Sequence, residues 1–309
     1  MLITTRGGNF LKNKKPITTV IGSYPAEINT EEIIKSYYTQ KLISWDKYIK
    51  SAVNDMLRAG IQMVSDGQTR DSFVNIFYRR ISGCRIRERP EVFEKIRYRG
   101  PITIDDQKYV KSFLPKNTKL LGLITGPYTL SKSCVDLFYH NEKELAFDFA
   151  DVLRQEAENL QKDVDMISID DPVFSVSMPD YAKDLIQIII KNLKCPIRLH
   201  VCGDVSGIVS DILEIPVDVL SHEFKALPKL FDVFKEYSFR QNICLGSVRS
   251  DNPALETVGE IVNHIKKGIN VFNDKISQVS PDCGLRFLPR DTAYKKLRNL
   301  VKAWSVVYG

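Results

Sequence analysis

Most features that identify a protein at a glance are missing from this chain. No apolar run approaches the roughly 18 residues of a membrane span, and Met1 to Lys15 has no apolar core followed by a small-residue cleavage site. Both absences point to a cytoplasmic protein with no membrane partner. No G-x-G-x-x-G or G-x-x-x-x-G-K-[ST] follows a β-branched run, which counts against a dinucleotide or P-loop site. Six cysteines spread over 309 residues make no disulfide framework, so free thiols are expected, buried or available to a metal. Histidine is scarce, and with four in the chain each can be weighed by its place. The net charge of +6 suits an acidic partner or an anionic substrate, but no nucleic-acid-binding motif accompanies it.

What is present is a rhythm. The β-branched run from Ile17, closed by Gly22 and Pro25, predicts a first strand, and Ile61 to Val64 a second. Between them a helical region runs from Asn29 or Thr30 to a glycine stop at Gly60. Six further strands are predicted at 120–126, 166–170, 197–202, 217–223, 243–248 and 276–280, each followed by a helix. Short apolar strands alternating with amphipathic helices predict an α/β fold with a parallel sheet. Eight such units in 309 residues favour one closed (β/α)8 TIM barrel over 1–309. A basic segment at about 81–115 falls outside the rhythm. Its alternation (Cys84-Arg85-Ile86-Arg87, then Ile96-Arg97-Tyr98-Arg99) predicts a β-ribbon and helical insertion, either a solvated hairpin or a docking surface.

Such a barrel carries its active site at the carboxyl ends of its strands. At the fifth exit, His200 and Cys202 alternate onto one face of a strand ended by Gly203. An imidazole and a thiol so placed are natural zinc ligands, although H-x-C alone is a weak signal. Further donors come from other exits: Glu223 at the sixth, and Cys283 at the eighth, between Pro281-Asp282 and Gly284. Taken singly, Cys283 could equally be a small buried hydrophobe, and Glu223 half of an ion pair. Neighbouring strand residues face opposite ways, so choosing Glu223 as a ligand leaves His222 packed. Cys84, Cys134, Cys195 and Cys244 have no such company and are expected to be structural, as are His140 and His264 on helical segments.

Together these stretches resemble a known family. Thr18-Thr19-Val20-Ile21-Gly22-Ser23-Tyr24-Pro25, Ile169-Asp170-Asp171-Pro172, His200-Val201-Cys202, Glu223 and Ser280-Pro281-Asp282-Cys283-Gly284 are similar, in that order, to the catalytic half of cobalamin-independent methionine synthase. The resemblance implies a (β/α)8 barrel, one zinc ion held by His200, Cys202, Glu223 and Cys283, and methylation of homocysteine. It also implies substrate-binding roles for Ser23 and Asp170, with Asp170 paired to the amino group. The family's glutamate after the second strand matches Gln68 here, one charge fewer. Glu223, as the ligand that yields to substrate, and Asp170 are the expected catalytic residues.

Two departures from the family bear on the methyl donor. Its long members carry a second, N-terminal barrel not found here, and a catalytic histidine at the seventh exit, where this chain reads Gly246-Ser247-Val248-Arg249-Ser250. A folate amine needs a proton as it leaves, whereas a methyl group departing from cobalt does not. The expected donor is therefore a methyl-corrinoid such as methylcobalamin, presented by a corrinoid carrier protein, as in the short archaeal members. Competing readings are a methyl-corrinoid:coenzyme M methyltransferase, a uroporphyrinogen decarboxylase-like barrel that needs no metal, and a non-enzymatic structural zinc protein.

Overall fold

The computed structural model describes residues 15–27, 29–39 and 44–309. Residues 1–14 of the N-terminal stretch and 40–43 within the first expected helical region lie outside the described residues. In chain order the strands are β1 (Ile17–Thr18), β2 (Met63–Val64), β3 (Ser82–Ile86), β4 (Pro90–Arg97), β5 (Lys119–Thr125), β6 (Val135–Asp136), β7 (Met166–Asp170), β8 (Ile197–His200), β9 (Val219–His222), β10 (Asn242–Val248) and β11 (Ile276–Pro281). Eight of them pair in parallel in the order β1-β11-β10-β9-β8-β7-β5-β2, and a parallel bridge between Thr19 and Met63 joins the two ends. The expected barrel is therefore closed, most thinly between its first two strands.

The helices are α1 (Thr30–Thr39), α2 (Asp46–Ala59), α3 (Asn75–Tyr78), α4 (Ile104–Phe113), α5 (Pro127–Lys132), α6 (Glu142–Leu160), α7 (Ala182–Ile190), α8 (Val209–Glu214), α9 (Leu230–Lys235), α10 (Val258–Phe272) and α11 (Arg290–Tyr308). Local chemistry sets their ends. Gly60 closes α2 with φ of 89°, and Thr257 with Glu260 forms a reciprocal capping box at the start of α10. Where one helical region was expected before Gly60, the structure has α1 and α2, with Ser44 and Trp45 outside either helix.

The insertion is smaller than 81–115. Its ribbon is β3 paired antiparallel with β4, extended by β6 from the loop after β5. By contrast α4 packs against α2, α6 and β5, as the barrel's own second ring helix does. Because the ribbon grows from the exits of β2 and β5, it lies on the side of the barrel where the strands end. Several of its charges are already paired, Arg85 with Glu91 and Lys95 with Asp148.

The barrel interior is apolar towards the strand starts, where Met63, Leu121, Met166, Val219 and Cys244 meet. One charge crosses it. Arg198, wholly buried, donates to the carbonyl oxygens of Val20 and Ile21, to Gln278 Oε1 and to Ser168 Oγ. A buried guanidinium is tolerated only when its donors are met, and here uncharged oxygens from three other strands meet them.

Candidate metal centre

β8 ends at His200, and Gly203 turns the chain two residues beyond Val201 with φ of 82°. A side chain at that φ would be strained, and a Cβ there would lie 2.9 Å from Ser175 Oγ. The strand stops two residues short of the expected 197–202, and the turn rather than alternation brings Cys202 to the side of His200. From the eighth exit Cys283 reaches the same point. His200 Nε2 lies 2.8 Å from Cys202 Sγ, and Cys202 Sγ lies 2.8 Å from Cys283 Sγ. All three ligand atoms fall within 4.8 Å of one another.

The surroundings suit a cation. Ser221 Oγ lies 3.0 Å from His200 Nδ1, fixing the ring so that Nε2 faces the thiols. Burial first, then the Arg198 and His222 charges, holds the His200 pKa well below its usual value, so the imidazole stays neutral, the form that binds a metal. Contact with Cys283 and burial push the Cys202 thiol well up: two sulfurs this close resist ionising without a positive charge between them. One nitrogen and two sulfurs are a zinc donor set, and three protein ligands leave one of four tetrahedral positions free.

Glu223 is not gathered with them, contrary to expectation. β9 ends at His222, one residue earlier than the sequence pattern suggested, so Glu223 opens the following loop. Its half-buried carboxylate stands outside the three-residue group, beside the Gly203 backbone N–H, and burial raises its pKa. His222 is packed, with its Nδ1 3.1 Å from the Val201 carbonyl oxygen and its ring against Phe234.

Beside the three residues lies a cavity of about 190 Å3, lined among others by Ser23, Gln68, Phe73, Asp170 and Pro172. Asp170 accepts a 2.7 Å hydrogen bond from Ser168 Oγ; burial pushes its pKa up to about 6, with Arg198 pulling the other way. Gly284 is what makes room for Ser23, because a Cβ on it would stand 2.2 Å from Ser23 Oγ. Gln68 enters the wall from a left-handed backbone conformation, φ 45°, uncommon for a residue with a side chain. Asp171, by contrast, turns away to the start of α5, accepting from the Tyr128 and Thr129 backbone N–H groups.

Sequence reasoning overlooked Arg198, Ser221 and Phe73. For Arg198 a signal existed, since alternation puts it on the same face as His200 and Cys202. Ser221 and Phe73 carried none, because only the neighbouring strand or loop brings them in.

The match to known proteins spans the same ground. Residues 16–305 fit the model of the cobalamin-independent synthase catalytic domain. The chain belongs to that family. It is 34% identical over 311 residues to the methionine synthase of Methanocaldococcus jannaschii, covering 94% of this chain and 99% of that one. It is 36% identical over 306 residues to that of Methanothermobacter marburgensis, with coverage of 94% and 99%. A B12-independent methionine synthase from Shewanella, solved with selenomethionine, superposes with a TM-score of 0.78 at 23% identity, covering 94% and 97% of the two chains, and supports the barrel fold. This methionine synthase family makes the chain a methyltransferase enzyme. The description "cobalamin-independent" speaks against the corrinoid donor and corrinoid carrier expected from the seventh exit. No helix among the described residues is long and apolar enough to cross a membrane.

Proposed function

We propose that the chain makes methionine in the cytoplasm by methylating homocysteine whose sulfur is bound at a zinc ion held by His200, Cys202 and Cys283. The observation that carries this reading is the meeting of those three donors, from the fifth and eighth exits, beside a cavity of amino-acid size. Zinc, when bound, would favour the thiolate form of homocysteine at neutral pH, where a free thiol with pKa near 8.5 is mostly protonated. The chain's own residues then do the rest. Asp170 holds the substrate amino group by charge, and Ser23 and Gln68 take its polar atoms at the opposite wall. Glu223, from its loop beside Gly203, serves as the fourth and exchangeable ligand.

A structural zinc site is closed by four protein ligands; only three are assembled here among the described residues, which favours the enzyme. Glu223→Gln tests the assignment. The variant should keep its fold by circular dichroism, yet bind zinc and homocysteine more weakly, by about tenfold or more. Unchanged zinc content and turnover would sink Glu223's role.

We propose methyltetrahydrofolate as the donor, in keeping with the cobalamin-independent family. At the exit of β10, Arg249 is paired with Asp251. The nearest histidine by position, His264, is buried on α10 against Phe231 and bonds the Gly246 carbonyl oxygen. Methionine formation from methylcobalamin and from methyltetrahydrofolate, assayed side by side, separates the donors; clear folate turnover removes the corrinoid.

A further inference from the structure

Strand register stacks two layers of side chains inside the barrel at the candidate metal centre. Ser168 on β7 pairs in register with Arg198 on β8, and two residues further along Asp170 pairs with His200. Side chains two apart on a strand share a face. Ser168 and Arg198 therefore form the layer beneath Asp170, in the cavity wall, and His200, the metal-binding candidate. Both members of this lower layer are fully buried.

Hydrogen-bond polarity in the lower layer runs one way. Arg198 Nε lies 3.1 Å from Ser168 Oγ, and a guanidinium can only donate. Ser168 accepts from it, which leaves the single hydroxyl proton for Asp170 Oδ1, 2.7 Å away. That is the only hydrogen bond on the Asp170 carboxylate among the described residues, so nothing else of this kind fixes its rotation. Arg198 also reaches the other wall. Its Nη2 donates to the carbonyl oxygens of Val20 and Ile21, on the strand that delivers Ser23 to the cavity two residues later. One buried side chain thus supports the residues on both sides of the substrate space.

We propose that Arg198 and Ser168 are positioning residues for the substrate amino group: the guanidinium orients the Ser168 hydroxyl, which holds Asp170 Oδ1 and leaves the other carboxylate oxygen to the ligand. Because Arg198 also grips the Val20–Ile21 backbone, it sets the span between Asp170 and Ser23, and with it the amino acid that fits between them. Neither residue touches the substrate. The inference rests on the homocysteine reading for the identity of the ligand and adds what makes the site select its amine.

Calorimetry on the zinc-loaded protein tests this without turnover. It compares homocysteine with 4-mercaptobutyrate, which keeps the thiol, the chain length and the carboxylate but has no amino group. The wild type should bind homocysteine about 10-fold to 100-fold more tightly, as a charge-assisted contact allows. Ser168→Ala should cut that preference by about tenfold, with zinc content and 4-mercaptobutyrate affinity unchanged, whereas Ser168→Thr keeps the hydroxyl and should keep the preference. Arg198→Lys retains the charge but not the fork of donors; it should lower the preference and weaken both thiols. A merely structural pair would weaken the two ligands alike. A ratio that stays at the wild-type value in both Ser168→Ala and Arg198→Lys overturns the proposal. A wild type indifferent to the amino group would remove Asp170 from substrate binding, and this inference with it. A preference that depends on Ser168 without any methionine formed would leave the positioning pair standing and defeat the methyl-transfer reading instead.

Discussion

Two buried charges show how much single residues are asked to do. Arg198 lies in the barrel interior with no carboxylate within ion-pair distance among the described residues, and its guanidinium ties the Val20 and Ile21 carbonyls of the first exit to the fifth strand. Arg198→Met would fill similar volume but orphan those acceptors, so unfolding in urea should show a loss of about 3 kcal/mol or more. Asp66 is 3% exposed, and burial together with the Asp106 charge raises its pKa to about 6. The unfolded chain releases this proton near pH 4, the folded chain near 6. Below pH 4 both states hold it; between 4 and 6 the fold retains a proton that the unfolded chain gives up, so stability falls as pH rises. Asp66→Asn keeps an acceptor for the Gln68 N–H and removes that cost. The variant should match the wild type at pH 4 and exceed it by about 2–3 kcal/mol at pH 7.5, as paired urea titrations would show. Equal gains at both pH values would mean the carboxylate is not titrating as described.

At the scale of elements, the strand exits matter more than the strands. The Cys283-Gly284 exit presents a thiol while its glycine clears space for Ser23 from another loop. Gly284→Ala should therefore weaken homocysteine binding by forcing Ser23 aside. Much of that penalty should vanish when Ser23 is already alanine, a non-additivity readable in a double-mutant cycle of dissociation constants. Additive effects would show that the two loops do not share the space. These exits were legible in part. H-x-C followed by glycine, and Pro-Asp-Cys-Gly, marked their residues because alternation and turn chemistry are local. Glu223 was misplaced because strand pairing stops at His222, and pairing depends on β8 and β10, which local pattern does not report.

For the whole molecule, the closure of the barrel is uneven. β10 and β11 pair over most of their length, whereas the β1 and β2 segments meet through the Thr19–Met63 bridge, the Gln62 N–H bond to the Thr18 carbonyl and a few side-chain bonds. Amide hydrogen exchange should find Ile17 to Thr19 and Met63 to Val64 opening well before β10 and β11. Protection as strong as in β10 would mean that the Arg198 crosslink, rather than strand pairing, governs this seam. The metal-binding candidates sit on the well-paired side, at β8 and beyond β11, while the cavity beside them borders the thin seam.

By itself the sequence determined the barrel, its strand order and the side on which chemistry would gather, because period-two and helical patterning act over short stretches and eight repeats leave few other closures. It also marked His200, Cys202 and Cys283, whose residue types are rare enough to stand out. Tertiary structure alone decided that α4 belongs to the ring, that Glu223 lies outside the group of three, and that Arg198 crosses the interior. Each of those depends on what faces a side chain from another strand or loop, and that distance is set only when the barrel closes.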